Sequence, residues 1–200
     1  MQIPKNILLD KEGQYCVNCF SGPIERKHVN NLTFYECLAC HKISERSLVI
    51  DNNIVWWFDE RGNYWHESVG VIVVNTHNKI LCMLRQIYPF AYTIPAGHLD
   101  KGEKPKNAAV RELEEETGIK AGRRLKKIGK FDMTGDSCRR GSDHHKWNLY
   151  WLKVIDIKSV KLSDEASDTR WYSLVELKRK DNLTFALAFI IKKFGHSLIS

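Results

Sequence analysis

The chain lacks the marks of a secreted or membrane-bound protein. Met1 to Asp10 contains no basic start followed by a long apolar run, so no secretory signal is expected. The longest apolar stretch near the C-terminus, Leu183 to Ile191, falls far short of the ~20 residues a membrane span needs. No internal repeat, low-complexity tract or long polybasic arm is present. Basic residues come instead in short clusters such as Arg123-Arg124 and Arg139-Arg140. The six cysteines are not spread like a disulfide scaffold, because four of them fall in two Cys-x-x-Cys pairs. That usage points to metal in a reducing compartment, and a cytoplasmic location is expected.

What remains is an ordinary globular composition. Two hundred residues, 43% of them hydrophobic, suit one domain plus a small second module. The formal charge of +7 favours anionic partners such as nucleotides or nucleic acid. Three segments are expected: 1–48, which carries the paired cysteines; 49–66, an aromatic hairpin or linker; and 67–200, the main domain. In the last, Val69–Val74, Ile80–Leu84, Leu125–Met133, Trp147–Ile155 and Thr169–Tyr172 read as strands. Residues 105–117 read as a helix, with Pro105 in its first turn and Gly118 as its stop. Leu183–Phe194 reads as a closing helix. Strands and helices in this mixture imply an α+β fold.

Cys16-x2-Cys19 followed, after seventeen residues, by Cys37-x2-Cys40 has the spacing of a four-cysteine zinc site. Such a site has no open position and is expected to be structural. His28 and His41 are alternative ligands, although four thiols suffice. The segment resembles a zinc ribbon. Cys82 is expected in the core, and Cys138 falls in a polar loop with no evident partner. Trp56, Trp57, Phe58, Tyr64 and Trp65 suit packing between ribbon and main domain, with base stacking as the alternative.

On the helix, Glu112, Glu115 and Glu116 share a face, since residues three and four apart are neighbours. Like charges so stacked repel, a cost that hard cations between them relieve. Arg111, four residues before Glu115, can brace that carboxylate with a two-pronged hydrogen bond. Upstream, Gly97 is followed by five residues, Glu103, seven residues, and then Arg111-Glu112-Leu113-Glu114-Glu115-Glu116-Thr117-Gly118-Ile119. This run resembles the box of the Nudix hydrolases, Gly-x5-Glu-x7-Arg-Glu-U-x-Glu-Glu-x-Gly-U with U a bulky aliphatic, at every position. Its seven fixed letters would recur by chance in such a chain about once in a million.

The resemblance implies an α/β/α sandwich with the box as loop–helix–loop. It implies a metal-dependent hydrolase that cleaves a pyrophosphate bond with Mg²⁺ or Mn²⁺. It also implies Glu115 and Glu116 as the principal metal pair, Glu112 as a further ligand, and the Gly97 carbonyl as a backbone ligand. Glu103 and Arg111 then hold the loop and helix in place. The general base varies within the family, and Glu165, in the acidic loop Ser163–Asp168, is the candidate here. Arg85, at a strand end, is the candidate phosphate contact. The Gly135–Lys146 loop, with His144, His145 and Lys146, is within possible reach of substrate.

The Ile94-Pro95-Ala96-Gly97 approach resembles Nudix enzymes acting on nucleotide sugars and dinucleotides, such as ADP-ribose or NADH. The ribbon and hairpin are candidates for a wall around the second half of such a substrate. A ribbon before this box resembles the NADH pyrophosphatases, but the Ser-Gln-Pro-Trp-Pro type run that follows the box in those enzymes is absent. The alternatives are a nucleoside-triphosphate pyrophosphohydrolase, or a sensing module that binds ligand, RNA or DNA without cleavage. The oligomeric state stays open, a homodimer among the options.

Overall fold

The computed structural model describes every residue except 6, 8, 10, 156–159, 162, 163 and 196–200. The N-terminal third is built from short strands, because it has turn formers and few large apolar side chains. β1 (Gly13–Cys16) pairs antiparallel with β5 (Ser47–Ile50). Between them, β2 (Ile24–Val29), β3 (Leu32–Cys37) and β4 (Ile43–Ser44) form a three-stranded sheet.

β6 (Trp56–Phe58) and the start of β7 (Tyr64–Val74) make the aromatic hairpin. Asp59 organises its turn, accepting hydrogen bonds from the backbone N–H groups of Arg61 and Asn63, the Asn63 amide and the Trp65 indole. β7 then continues unbroken for 11 residues into the main sheet, every one of them buried. A strand covered on both faces has no polar side to show, and this explains the continuous apolar run from Val69 to Val74.

The remaining strands are β8 (Ile80–Arg85), β9 (Tyr92–Thr93), β10 (Ala96–His98), β11 (Lys126–Thr134), β12 (His144–Lys153) and β13 (Ala166–Tyr172). The sheet runs β11-β12-β7-β8-β13, with β12 parallel to β7 at its centre. α1 (Pro105–Thr117) covers one face, where Ala108, Ala109 and Leu113 pack on Val71, Val73, Leu81 and Leu152. α2 (Leu174–Lys178) and α3 (Phe185–Phe194) cover the other, through Leu174, Leu177, Leu187 and Ile190 on Ile72, Ile80 and Leu149. The result is the expected α+β fold, a three-layer α/β/α sandwich with a small cysteine-bearing module.

Two expectations need correction. His144, His145 and Lys146 open β12 and do not belong to a loop. Parallel pairing to Trp65, His66 and Glu67 extends the strand to them despite their polarity. α2 was not foreseen, although Ser173-x-x-Glu176 is a capping box, with both reciprocal hydrogen bonds present.

The hairpin aromatics are used for packing. Tyr64 is fully buried with Leu48 and Ile50, and Trp56 and Phe58 pack against that cluster. Trp57 stacks on Trp65 with ring centroids 5.8 Å apart. Cys82 is buried in the core, as expected.

Candidate active site

α1 starts and stops where its sequence directs. Pro105 sits in the first turn, where its missing N–H costs nothing. Gly118 closes the helix at φ 71°, a left-handed conformation that glycine adopts without a Cβ penalty, and donates its N–H to the Glu114 carbonyl at 2.8 Å. The helix thereby presents Glu112, Glu115 and Glu116 to a cavity of about 390 Å³. Arg85, Gly97, Arg111, Arg139 and Glu165 line the same cavity, so it gathers the candidate metal ligands, base and phosphate contact read from the sequence, while Glu103 is not among its lining.

The carboxylates differ in environment. Glu116 is buried and accepts a hydrogen bond from the Ala96 N–H at 2.8 Å. Burial pushes its carboxyl up to about 8, against the opposing pull of that N–H and of Arg85. Burial also raises Glu112, although Arg111 counteracts it. Glu115 is exposed. Arg111 grips Glu103 with a fork, Nε to Oε1 at 3.3 Å and Nη2 to Oε2 at 3.0 Å, while Nη1 reaches Glu112 at 2.7 Å and Glu115 at 3.3 Å. The two-pronged grip expected on Glu115 thus falls on Glu103 instead, across the loop that the box encloses.

Gly97 lies hard against the helix. A Cβ there would sit 2.0 Å from the Glu112 carboxyl carbon, so no side chain fits without moving that carboxylate. Glu165 precedes β13 and receives a hydrogen bond from Arg139 at 3.0 Å. Ser163, from the same acidic loop, lies outside the described residues. Arg85 has a buried Nε with no hydrogen-bond partner among the described residues, and its Nη2 reaches the Tyr88 carbonyl at 3.4 Å.

The four paired cysteines come together. Cys16 and Cys40 have their sulfurs 3.7 Å apart, Cys19 and Cys37 3.6 Å apart, and all four lie within 4.8 Å of one another. Two like turns present them: Phe20 N–H bonds the Cys16 carbonyl and His41 N–H the Cys37 carbonyl, with Phe20 and His41 both at φ 55°. A tetrahedral Zn²⁺ with Zn–S near 2.3 Å needs sulfurs about 3.8 Å apart, so the donor set and spacing fit that ion. His28 instead contacts Thr33 at 3.4 Å.

Cys138 does have partners. Burial pushes its thiol up, but the His145 and His66 imidazoles pull it well below the ordinary thiol range. His66, His98 and Asp136 were not singled out from the sequence, and Cys138 was given no partner there, because β7, β10 and the loop before β12 are linked by no motif spacing.

The profile of the NUDIX domain matches residues 64–193. The chain belongs to the Nudix family. The RNA pyrophosphohydrolase of Cereibacter sphaeroides is 46% identical over 120 residues, covering 54% of this chain and 74% of that protein. The ADP-ribose pyrophosphatase of Methanocaldococcus jannaschii is 28% identical over 134 residues, covering 66% and 75%. Among solved structures, the NUDIX domain of Shewanella oneidensis NrtR, complexed with ADP ribose, superposes with a TM-score of 0.57 at 18% identity, covering 70% of this chain and 94% of that one. The chain is therefore a Nudix pyrophosphohydrolase, and no helix among the described residues is long and apolar enough to cross a membrane.

Proposed function

We propose that this Nudix enzyme cleaves a two-part substrate, X–P–P–nucleoside, between its phosphates, with ADP-ribose and NADH as the first candidates. One observation carries the reading: Arg85 lines the cavity that holds the helix carboxylates, and its buried Nε has no hydrogen-bond partner among the described residues. An arginine on the wall beside the carboxylates puts positive charge and forked donors where a pyrophosphate would lie. Arg139 and Arg140 also line the cavity, so cationic side chains border it from separate segments of the chain. The Pro-Ala-Gly approach to the box and the ADP-ribose pyrophosphatase relative support the same substrate class.

The residues fit divalent cations. Glu112, Glu115 and Glu116 offer hard oxygen donors, and the side-chain-free Gly97 leaves its backbone close to Glu112. These oxygens would hold Mg²⁺ or Mn²⁺, which would supply charge to neutralise phosphate oxygens and to lower the pKa of a water. Arg85 binds and orients the pyrophosphate. Glu165 takes the proton of the attacking water, with Arg139 holding its carboxylate in position. Arg111 and Glu103 keep the box in register. The ribbon takes one structural Zn²⁺ through Cys16, Cys19, Cys37 and Cys40.

The wall for the second half of the substrate comes from Ile54, Pro89 and the 136–140 loop. The hairpin aromatics expected in that role are packed elsewhere and do not line the cavity.

A second reading, pyrophosphohydrolysis of RNA, is favoured by the 46% identical relative. The test is a matched-concentration panel of ADP-ribose, NADH, ATP, dGTP and a 5′-triphosphorylated RNA oligomer with Mg²⁺ or Mn²⁺, products read by mass spectrometry. A nucleoside monophosphate released from ADP-ribose or NADH is the expected result. Faster turnover of the RNA or of a triphosphate than of both two-part substrates overturns the substrate assignment.

A further inference from the structure

In the wall of the catalytic cavity, which His98, Cys138 and His145 help to line, lies a second group of ligand-type side chains that pyrophosphate hydrolysis does not use. His66 comes from β7, His98 from β10, His145 from β12 and Cys138 from the loop before β12. His66 and His145 face each other in the parallel β7–β12 register. One ligand atom from each of the four residues lies within 4.8 Å of all the others. His66 Nδ1 is 3.1 Å from His98 Nε2 and 3.7 Å from Cys138 Sγ. A tetrahedral Zn²⁺ with ordinary Zn–N and Zn–S lengths sets its nitrogens about 3.3 Å apart, and nitrogen and sulfur about 3.6 Å apart. The gaps between these side chains are of that size.

The surroundings of His145 add an independent argument. Its Nδ1 lies 2.8 Å from the Asp136 carbonyl oxygen and 3.2 Å from the Asp136 carboxylate. Both neighbours are acceptors, so Nδ1 carries the proton and Nε2 is left to face the cluster. Asp136 is itself buried and fixed, accepting from the Trp147 indole at 2.7 Å. A carboxylate that orients a histidine through its far nitrogen is the usual outer support of a metal-bound imidazole. Buried polar clusters of this kind otherwise need a partner for every donor and acceptor. Three imidazoles around one sulfur offer several lone pairs and few protons to fill them.

We propose that His66, His98, Cys138 and His145 form a second closed Zn²⁺ site, distinct from the four-cysteine site and from the carboxylate helix. Three nitrogens and one thiolate complete a tetrahedron with no open position, which makes the ion structural. Its ligands come from three strands and one loop, so it staples the 135–143 loop onto β7, β10 and β12. That loop carries Arg139, the residue that holds Glu165, and the ion thereby sets the wall of the cavity.

The test uses the full chain, purified without an affinity tag and equilibrated with Zn²⁺ alone. Elemental analysis is expected to give two zinc ions per chain. Cys138→Ala and His98→Ala should each lose one of them, and Cys37→Ser the other. X-ray absorption of the wild-type protein should show a mixed sulfur–nitrogen shell, a readout that needs no variant to fold. Amide exchange in residues 136–143 should quicken in Cys138→Ala. A pure sulfur shell with one zinc per chain, or a Cys138→Ala protein that keeps the wild-type zinc content, overturns the proposal.

Discussion

The Ala96 N–H donates to the Glu116 carboxylate at 2.8 Å, so the strand entering the Nudix loop is tied to the last turn of the helix that leaves it. An amide oxygen can accept the same bond. Glu116→Gln should therefore keep the fold while removing a charged oxygen from the cation site, and kcat should fall by at least ~100-fold at saturating Mg²⁺. Burial raises this carboxyl to about 8. The stability linked to its protonation is full below the ordinary carboxylate range and fades as pH rises toward 8. Without added Mg²⁺, the glutamine variant should lose that decline, giving a flatter melting temperature between about pH 5 and 8. Near wild-type turnover would count against the carboxylate assignment.

Arg139 and Glu165 form the pair on the other side of the cavity. Glu165→Gln should lower kcat by about 100-fold with little change in KM, as expected for loss of a general base. Arg139→Ala should lower kcat by a smaller factor, since the base stays but loses its brace. Steady-state kinetics on both variants decide the matter. If Glu165→Gln turns over normally, the base lies elsewhere, and Glu112 is the next residue to test.

Gly97→Ala should separate activity from stability. The added Cβ displaces the Glu112 carboxyl, so kcat should drop on the order of 100-fold, the usual effect of a misplacement near 1 Å. The melting temperature should move little, because Glu112 borders the cavity rather than the core. A fully active alanine variant would mean that Glu112 can shift without consequence.

Cys37→Ser should release the ribbon Zn²⁺ and unfold 13–50 locally, since the metal supplies most of the folding energy of such a small unit. Loss of the cysteine module should show as new protease sites in that segment, with the remaining sheet still protected. Limited proteolysis followed by mass mapping checks this. Unchanged protection of the ribbon would show that it stands without the metal.

Asp59 predicts an acid-sensitive hairpin. Asn63, Trp65 and the Arg61 N–H hold its carboxyl below the ordinary range. A carboxyl so lowered adds stability above its unfolded value and loses it as pH falls through the folded one. Wild type should weaken below about pH 4 in urea unfolding, and Asp59→Asn should show a shallower loss over the same range. Parallel acid limbs would remove Asp59 from the account.

Where local rules decide the outcome, the sequence was readable. Pro105 and Gly118 bound α1 because proline and glycine act on the backbone within a residue or two. The box and the cysteine pairs have fixed spacings, so the residues that meet there could be named in advance. His66, His98, Cys138 and His145 could not, because β-pairing across long separations brings them together and no period links them. The start of β12 was misread for a related reason: polar residues there are kept extended by Trp65 and His66 across the sheet, not by their own propensity.

The ribbon is joined to the catalytic wall by backbone. Ser47 N–H donates to the Arg139 carbonyl at 3.1 Å and Val49 N–H to the Arg140 carbonyl at 3.0 Å. Arg46 adds side-chain bonds to the Cys138 and Ser142 carbonyls at 2.9 and 3.0 Å. Residues 46–49 therefore act as a splint along the loop that positions Glu165. Trimming the chain back to the bare Nudix domain would free all four carbonyls at once and loosen the jaw of the cavity. A shortened version built for assay or crystallisation should keep residues 46–49, because their hydrogen bonds hold the 138–142 loop.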